Sequence, residues 1–280
     1  MSVTLVSFCL MAVAARELSG EINTFQILFC RSLLGLVVVS AVMVITRQRG
    51  LFSSRRVGLH VFRNLFHFAG QYGWITGIGL LPLAEVFALE FTVPIWTAII
   101  ASIFLKERLT LKRTVSIGLG MIGVLIIVKP GQGITSSASF IVLAAAVCYA
   151  VAHTSTKSLA ATEKPATVLL FMCLVQLPMG LALAISEWQW ANQVQWIWLS
   201  VSGITALTGH YCMTRAMVHA EVGTVLMLDF LRLPMIATIG VMLYSESFEV
   251  TLIIGGGLML FGNWLNLFQR NNPWQRLRSS

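Results

Sequence analysis

The chain has 280 residues, of which 57% are hydrophobic and only 11% are Asp, Glu, Lys or Arg. Soluble domains carry roughly a quarter charged residues, and a surface this poor in charge would expose large apolar patches to water. Composition therefore excludes a soluble domain and makes the bilayer the solvent. The formal charge of +8 raises nucleic acid as a partner, but its distribution along the chain argues otherwise.

Apolar runs predict ten spans at 1–15, 25–46, 57–78, 83–104, 111–128, 138–156, 166–186, 195–214, 222–244 and 250–268. At ~20 residues per span they consume about 200 residues, leaving short connectors and no room for a soluble domain. The first run is short, ~22 Å of helix against a hydrocarbon core of ~30 Å. Either it is partly interfacial or the chain begins earlier. No basic n-region precedes it, so no cleavable signal peptide is expected. The five cysteines lie within apolar runs, without CxxC or histidine at ligand spacing, and read as buried small side chains with no metal site.

With the N-terminus inside, the inner loops carry Arg47, Arg49, Arg55, Arg56, Lys106, Arg108, Lys112, Arg113, Lys157, Lys164, Arg215, Arg270, Arg276 and Arg278. The outer loops carry only Arg16 and Lys129. This positive-inside bias predicts that both termini are cytoplasmic, in a bacterial inner membrane, and accounts for the charge with the lipid bilayer as partner and no nucleic acid. Trp188, Trp190, Trp196 and Trp198 flank an outer loop, where an aromatic belt is expected.

The halves echo each other. Ala84-Glu85-Val86, Pro94 and the exit Glu107 in the fourth span recur as Ala220-Glu221-Val222, Pro234 and Glu246 in the ninth. Five spans per half reverse the second copy, giving two inverted repeats at 1–130 and 131–270 around a central cavity, with a cytoplasmic tail at 271–280. Many secondary transporters have this architecture, with the site at the repeat interface near the midplane.

Ionisable groups in mid-span mark sites, because each costs ~2.5–3.5 kcal/mol on insertion scales unless paired or hydrated. Arg31, Arg63, Glu90, Asp229 and Arg232 qualify. Asp229 and Arg232 are three apart and suited to pairing. An arginine among Arg31, Arg63 and Arg232 is expected to hold a substrate carboxylate or phosphate, with Glu90 or Asp229 balancing charge or taking a coupling proton. The competing expectation is fixed ion pairs between helices, or, for Arg63, snorkelling to the inner face. Arg63, His67 and Gln71 form one polar stripe that cannot face lipid, and His210 adds a polar group in the eighth span. Trp74, Trp96 and Tyr149 suit either an apolar pocket or plain packing. Pro94 and Pro234 are expected to bend their spans and are candidate hinges, or static kinks. Gly118 to Gly123 fits G-x-G-x-x-G literally, but it lies in mid-span without the strand and helix start that a nucleotide needs, and reads as helix packing.

The segment Leu81 to Pro130 combines a small-residue helix start, mid-helix Pro94, exit Glu107 and a glycine-patterned following helix. It resembles the end of an EamA domain, and 228–262 repeats the pattern; Phe29, Arg31 and Ser32 fit as well. The chain is thus similar to the ten-helix members of the drug/metabolite transporter superfamily. It departs from them at Lys106 and Ser245, where glycine is common before the exit glutamate, and in its short first helix. The resemblance implies alternating access without ATP or a cofactor, and leaves the small-molecule solute open, with basic side chains favouring an anion or zwitterion. An embedded enzyme lacks any activated nucleophile or ligand cluster here, and a channel lacks a charged ring or filter. A non-transporting sensor or partner subunit is the remaining alternative.

Overall fold

The structure is a computed structural model that describes residues 1–47, 54–104, 111–128, 137–220, 222–229, 231–247 and 250–268. The exit segment at Lys106-Glu107, Lys129, the junction at 130–131 and the tail 271–280 lie outside the described residues. All regular elements among the described residues are helical: α1 (Ser2–Leu18), α2 (Thr24–Ile45), α3 (Val57–Leu80), α4 (Leu83–Glu90), α5 (Val93–Phe104), α6 (Leu111–Val128), α7 (Ser137–Ala160), α8 (Pro165–Ala184), α9 (Gln193–His219), α10 (Val222–Asp229), α11 (Arg232–Tyr244) and α12 (Val250–Phe268). α2, α7, and α8 with its short extension to Glu187 have the length and hydropathy to cross a membrane.

Local chemistry sets the helix starts. The Asn23 side chain accepts from Phe25 N at 2.8 Å and caps α2. Asn192 and Gln195 form a reciprocal capping box at α9, and Pro165 opens α8 where its missing N–H costs nothing.

The fourth and ninth runs differ from the single bent spans expected. Each folds as two helices, α4 and α5 broken at Phe91-Thr92, and α10 and α11 broken between Asp229 and Arg232. Thr92 Oγ1 donates to Leu89 O at 2.8 Å and closes the first break. Pro94 is the second residue of α5 and Pro234 the third of α11. In a first turn the proline nitrogen has no intrahelical acceptor to lose. The prolines therefore do not bend a helix in its middle; they begin one.

The helix starts at 83, 93 and 111 recur at 222, 232 and 250, an offset of 139. The ends at 45, 80 and 90 recur at 184, 219 and 229. Neighbours follow the same pattern: α1 packs on α9 and α3 on α7, while α2 packs on α8, α6 on α12 and α4 on α11. A Cβ on Gly123 would lie 2.6 Å from Gly255 O, so α6 and α12 approach to backbone contact there, the packing role expected of those glycines. One buried core joins Phe8, Trp74, Ile78, Phe87 and Leu89.

At one end of the bundle, Arg16 bonds Glu246 at 2.5 Å and Leu81 O at 2.8 Å. The other Glu246 oxygen accepts from Leu83 N at 2.9 Å, capping α4. At the opposite end Lys157 donates to Met217 O at 2.7 Å and Ala220 O at 2.8 Å, closing α9.

Candidate functional site

Two groups of buried polar side chains occupy the interior. The first sits where the two broken runs meet. Glu90 is the last residue of α4, Asp229 the last of α10 and Arg232 the first of α11. Arg232 reaches Glu90 Oε1 at 2.9 Å and Asp229 Oδ2 at 2.7 Å. Glu90 Oε2 accepts from Trp74 Nε1 at 2.7 Å. The rings of Phe8, Phe87 and Phe91 lie 5.0, 4.7 and 5.5 Å from the guanidinium carbon, a desolvated cation–π shell.

The second group lines α2, α3, α7, α8 and α9. The spacing of four along α3 puts Arg63, His67 and Gln71 on one buried stripe. Arg63 donates to Thr156 Oγ1 at 3.0 Å and Asn64 Oδ1 at 2.6 Å. Gln176 Nε2 donates to Asn64 Oδ1 at 3.2 Å and His67 Nδ1 at 2.9 Å. His67 meets the His210 ring edge-on at 4.8 Å, and His210 meets Phe8 at 5.1 Å, so Phe8 separates the two groups. Arg31, 6% exposed, makes no ion pair or hydrogen bond with the described residues. It lines a small cavity with Ser32, Cys173, Gln176, Gly203 and Leu207. Gln71 Nε2 and Oε1, His67 Nε2 and Ser202 Oγ are buried without a partner among the described residues. Such unsatisfied groups are costly in an interior, and suit a site that exchanges water for a polar ligand.

The profile of the EamA-like transporter family matches the chain twice, over residues 1–129 and 136–268. The chain belongs to the EamA-like transporter family. It is an integral membrane protein, and the three relatives that follow are bacterial and named as transporters. It is 29% identical to a riboflavin transporter of Brucella anthropi, over 84% of this chain and 86% of that one. It is 24% identical to an S-adenosylmethionine uptake transporter of Rickettsia prowazekii (66% and 63% covered). It is 25% identical to a pseudopaline exporter of Pseudomonas aeruginosa (91% and 89% covered). One solved crystal structure, 17% identical, superposes with a TM-score of 0.68 over 96% of this chain and 97% of its own, a likeness of fold.

Within this EamA chain, the sequence candidates fall into the two groups. Glu90, Asp229 and Arg232 meet at the breaks, and Arg63, His67, Gln71 and His210 share the second group with Arg31 nearby. Arg63 is 3% exposed and does not snorkel. Tyr72, next to Gln71 on α3, stacks on Phe25 at 4.5 Å and is partly exposed. Asp229 and Arg232 pair across a break instead of along one helix face. Gln176 was not among the sequence candidates, although a glutamine inside the run Val168 to Gly180 is the same kind of signal as a mid-span charge. Trp74 is both packing and the donor to Glu90, a partnership 16 residues apart that spacing does not reveal.

Proposed function

We propose that the chain is a secondary transporter of a small organic anion or zwitterion, built as ten spans in two inverted five-helix repeats and working by alternating access without ATP. The recurrence of helix boundaries at an offset of 139, and the pairing of α1 with α9 as α3 with α7, support the repeats at 1–130 and 131–270. The excess of Lys and Arg in alternate loops supports cytoplasmic termini in a bacterial inner membrane, with 271–280 a cytoplasmic tail.

One observation carries the solute class. Arg31 and Arg63 are both buried, and neither contacts a carboxylate among the described residues. Two guanidinium charges in a membrane interior with only neutral partners favour an anionic group that alternately enters and leaves. Gln71, Gln176, His67 and His210 would orient the rest of the solute. The compounds for which the relatives are named, riboflavin, S-adenosylmethionine and pseudopaline, are the first to be tried.

A thermal-shift panel on purified protein, containing those three compounds and a series of carboxylates, phosphates and neutral controls, is the first test, followed by flux of the stabilising compounds in proteoliposomes. Saturable flux of a carboxylate or phosphate is expected. Arg31→Gln and Arg63→Gln should each lower it roughly 10- to 100-fold, since a charged hydrogen bond is worth ~1.5–3 kcal/mol. Full flux in both variants at normal expression would refute the anion site; no flux above empty vesicles for any compound would refute transport.

A further inference from the structure

The cluster at the helix breaks contains one more negative than positive charge. Arg232 is shared by Glu90 and Asp229. Three of the four carboxylate oxygens are engaged: Glu90 Oε1 by Arg232 at 2.9 Å, Glu90 Oε2 by Trp74 Nε1 at 2.7 Å, and Asp229 Oδ2 by Arg232 at 2.7 Å. The fourth, Asp229 Oδ1, is buried with no hydrogen-bond partner among the described residues, and Asp229 as a whole is 4% exposed.

Among the described residues, no neighbouring helix supplies a compensating cation. The titratable side chains facing the cluster are Cys9 from α1, Tyr149 and His153 from α7, and His210 from α9. None of them hydrogen-bonds either carboxylate. On α4, Glu85 is engaged by Ser139 at 3.1 Å. α5 and α12 carry no titratable residue. The phenylalanine rings around Arg232 stabilise its charge without adding one. An uncompensated carboxylate in such a setting neutralises by taking a proton. A hard metal cation would need several oxygen ligands at once, whereas a proton needs one lone pair.

We propose that Asp229 binds a proton on Oδ1 while it shares Arg232 with Glu90, and that this proton is the coupling ion. The step is simple proton binding: the carboxylate becomes a carboxylic acid, Oδ2 continues to accept from Arg232, and the cluster becomes neutral. Both Glu90 oxygens already accept from fixed donors, so the open lone pair of the cluster is on Asp229 Oδ1. In the proposed cycle α4 and α10, which end on the two acids, move apart, which returns Oδ1 to water and releases the proton. The coupling role rests on the transporter reading; the protonation does not.

Infrared difference spectroscopy of the full-length protein in lipid, titrated through neutral pH, tests the protonation directly. A protonated-carboxyl carbonyl band is expected that shifts with 13C-aspartate labelling and not with 13C-glutamate. It should be lost in Asp229→Asn, and also in Glu90→Gln, which removes the excess charge. A band that follows the glutamate label, or no band at all, overturns the proposal, and the labelled native protein decides this even if a variant does not fold. In proteoliposomes, an imposed gradient of one pH unit should drive up to about tenfold accumulation of whichever compound the panel identifies, and none in Asp229→Asn. Solute flux that ignores the proton gradient, or follows a sodium gradient, overturns the coupling and leaves transport standing. Absence of all flux refutes transport and leaves the infrared result to decide the proton.

Discussion

Ser245 adopts φ 51° and ψ 32°, the left-handed region that residues with a Cβ enter at a cost. The turn it makes lets Glu246 N bond Gly240 O at 3.1 Å and folds the Glu246 carboxylate back onto Arg16 and the start of α4. Here the departure from the family pattern, serine where glycine is common, has a physical reading: glycine enters this conformation freely. Ser245→Gly should stabilise the protein by about 1 kcal/mol, raising its thermal midpoint in detergent, and Ser245→Val should lower it. An unchanged midpoint in both would mean that the turn is set by its neighbours. The site's residues were legible in unequal degrees. A charge inside an apolar run is visible by cost alone, so Arg31, Arg63, Glu90, Asp229 and Arg232 stood out. The spacing of three made the Asp229–Arg232 pair visible; the contact with Glu90 was not, because Arg232 lies 142 residues away and only the tertiary fold brings them together.

At the scale of elements, the two eight-residue helices α4 and α10 are each about 12 Å long, and each ends on an acid in the interior. Their partners α5 and α11 begin with a proline in the first turn. Proline there sets the backbone for a new helix and, by restricting the residue before it, discourages one continuous rod. Pro94→Ala and Pro234→Ala should change stability by less than about 1 kcal/mol yet slow solute flux several-fold, as the segments gain the option of joining. Variants with unaltered rates would remove any hinge role. The apolar runs were readable as helices because hydropathy reports length. The breaks were not, because Glu90-Phe91-Thr92 carries no glycine and its turn is closed by Thr92 on its own backbone.

For the whole molecule, orientation is the testable unit. If both termini face the cytoplasm, a fluorescent protein fused after the last helix should mature, and single cysteines placed in the loop between α8 and α9 should label with membrane-impermeant reagents from outside the cell. The reverse labelling pattern would invert the assignment. The packing of α2 on α8 and of α6 on α12 is what the proposed inverted repeat expects of a two-fold axis in the membrane plane. The all-helical membrane class was readable from composition, whereas the pairing of helices depends on contacts far apart in the chain.

The three helices with the length and hydropathy to cross a bilayer, α2, α7 and α8, bear on how the protein is made. Of these, only α2 holds a mid-span charge. The segments with the densest buried polar groups, α3 and the broken run of α10 and α11, each incur ~2.5–3.5 kcal/mol per centred charge on the insertion scale. They are poor candidates to partition from the translocon alone. Their partners supply the missing drive: α7 gives Arg63 a hydroxyl through Thr156, and α4 gives Arg232 a counter-charge through Glu90. The side chains proposed to handle the solute are thus also the ones that burden insertion, and a variant that empties the interior of charge should enter the membrane more readily than the native chain.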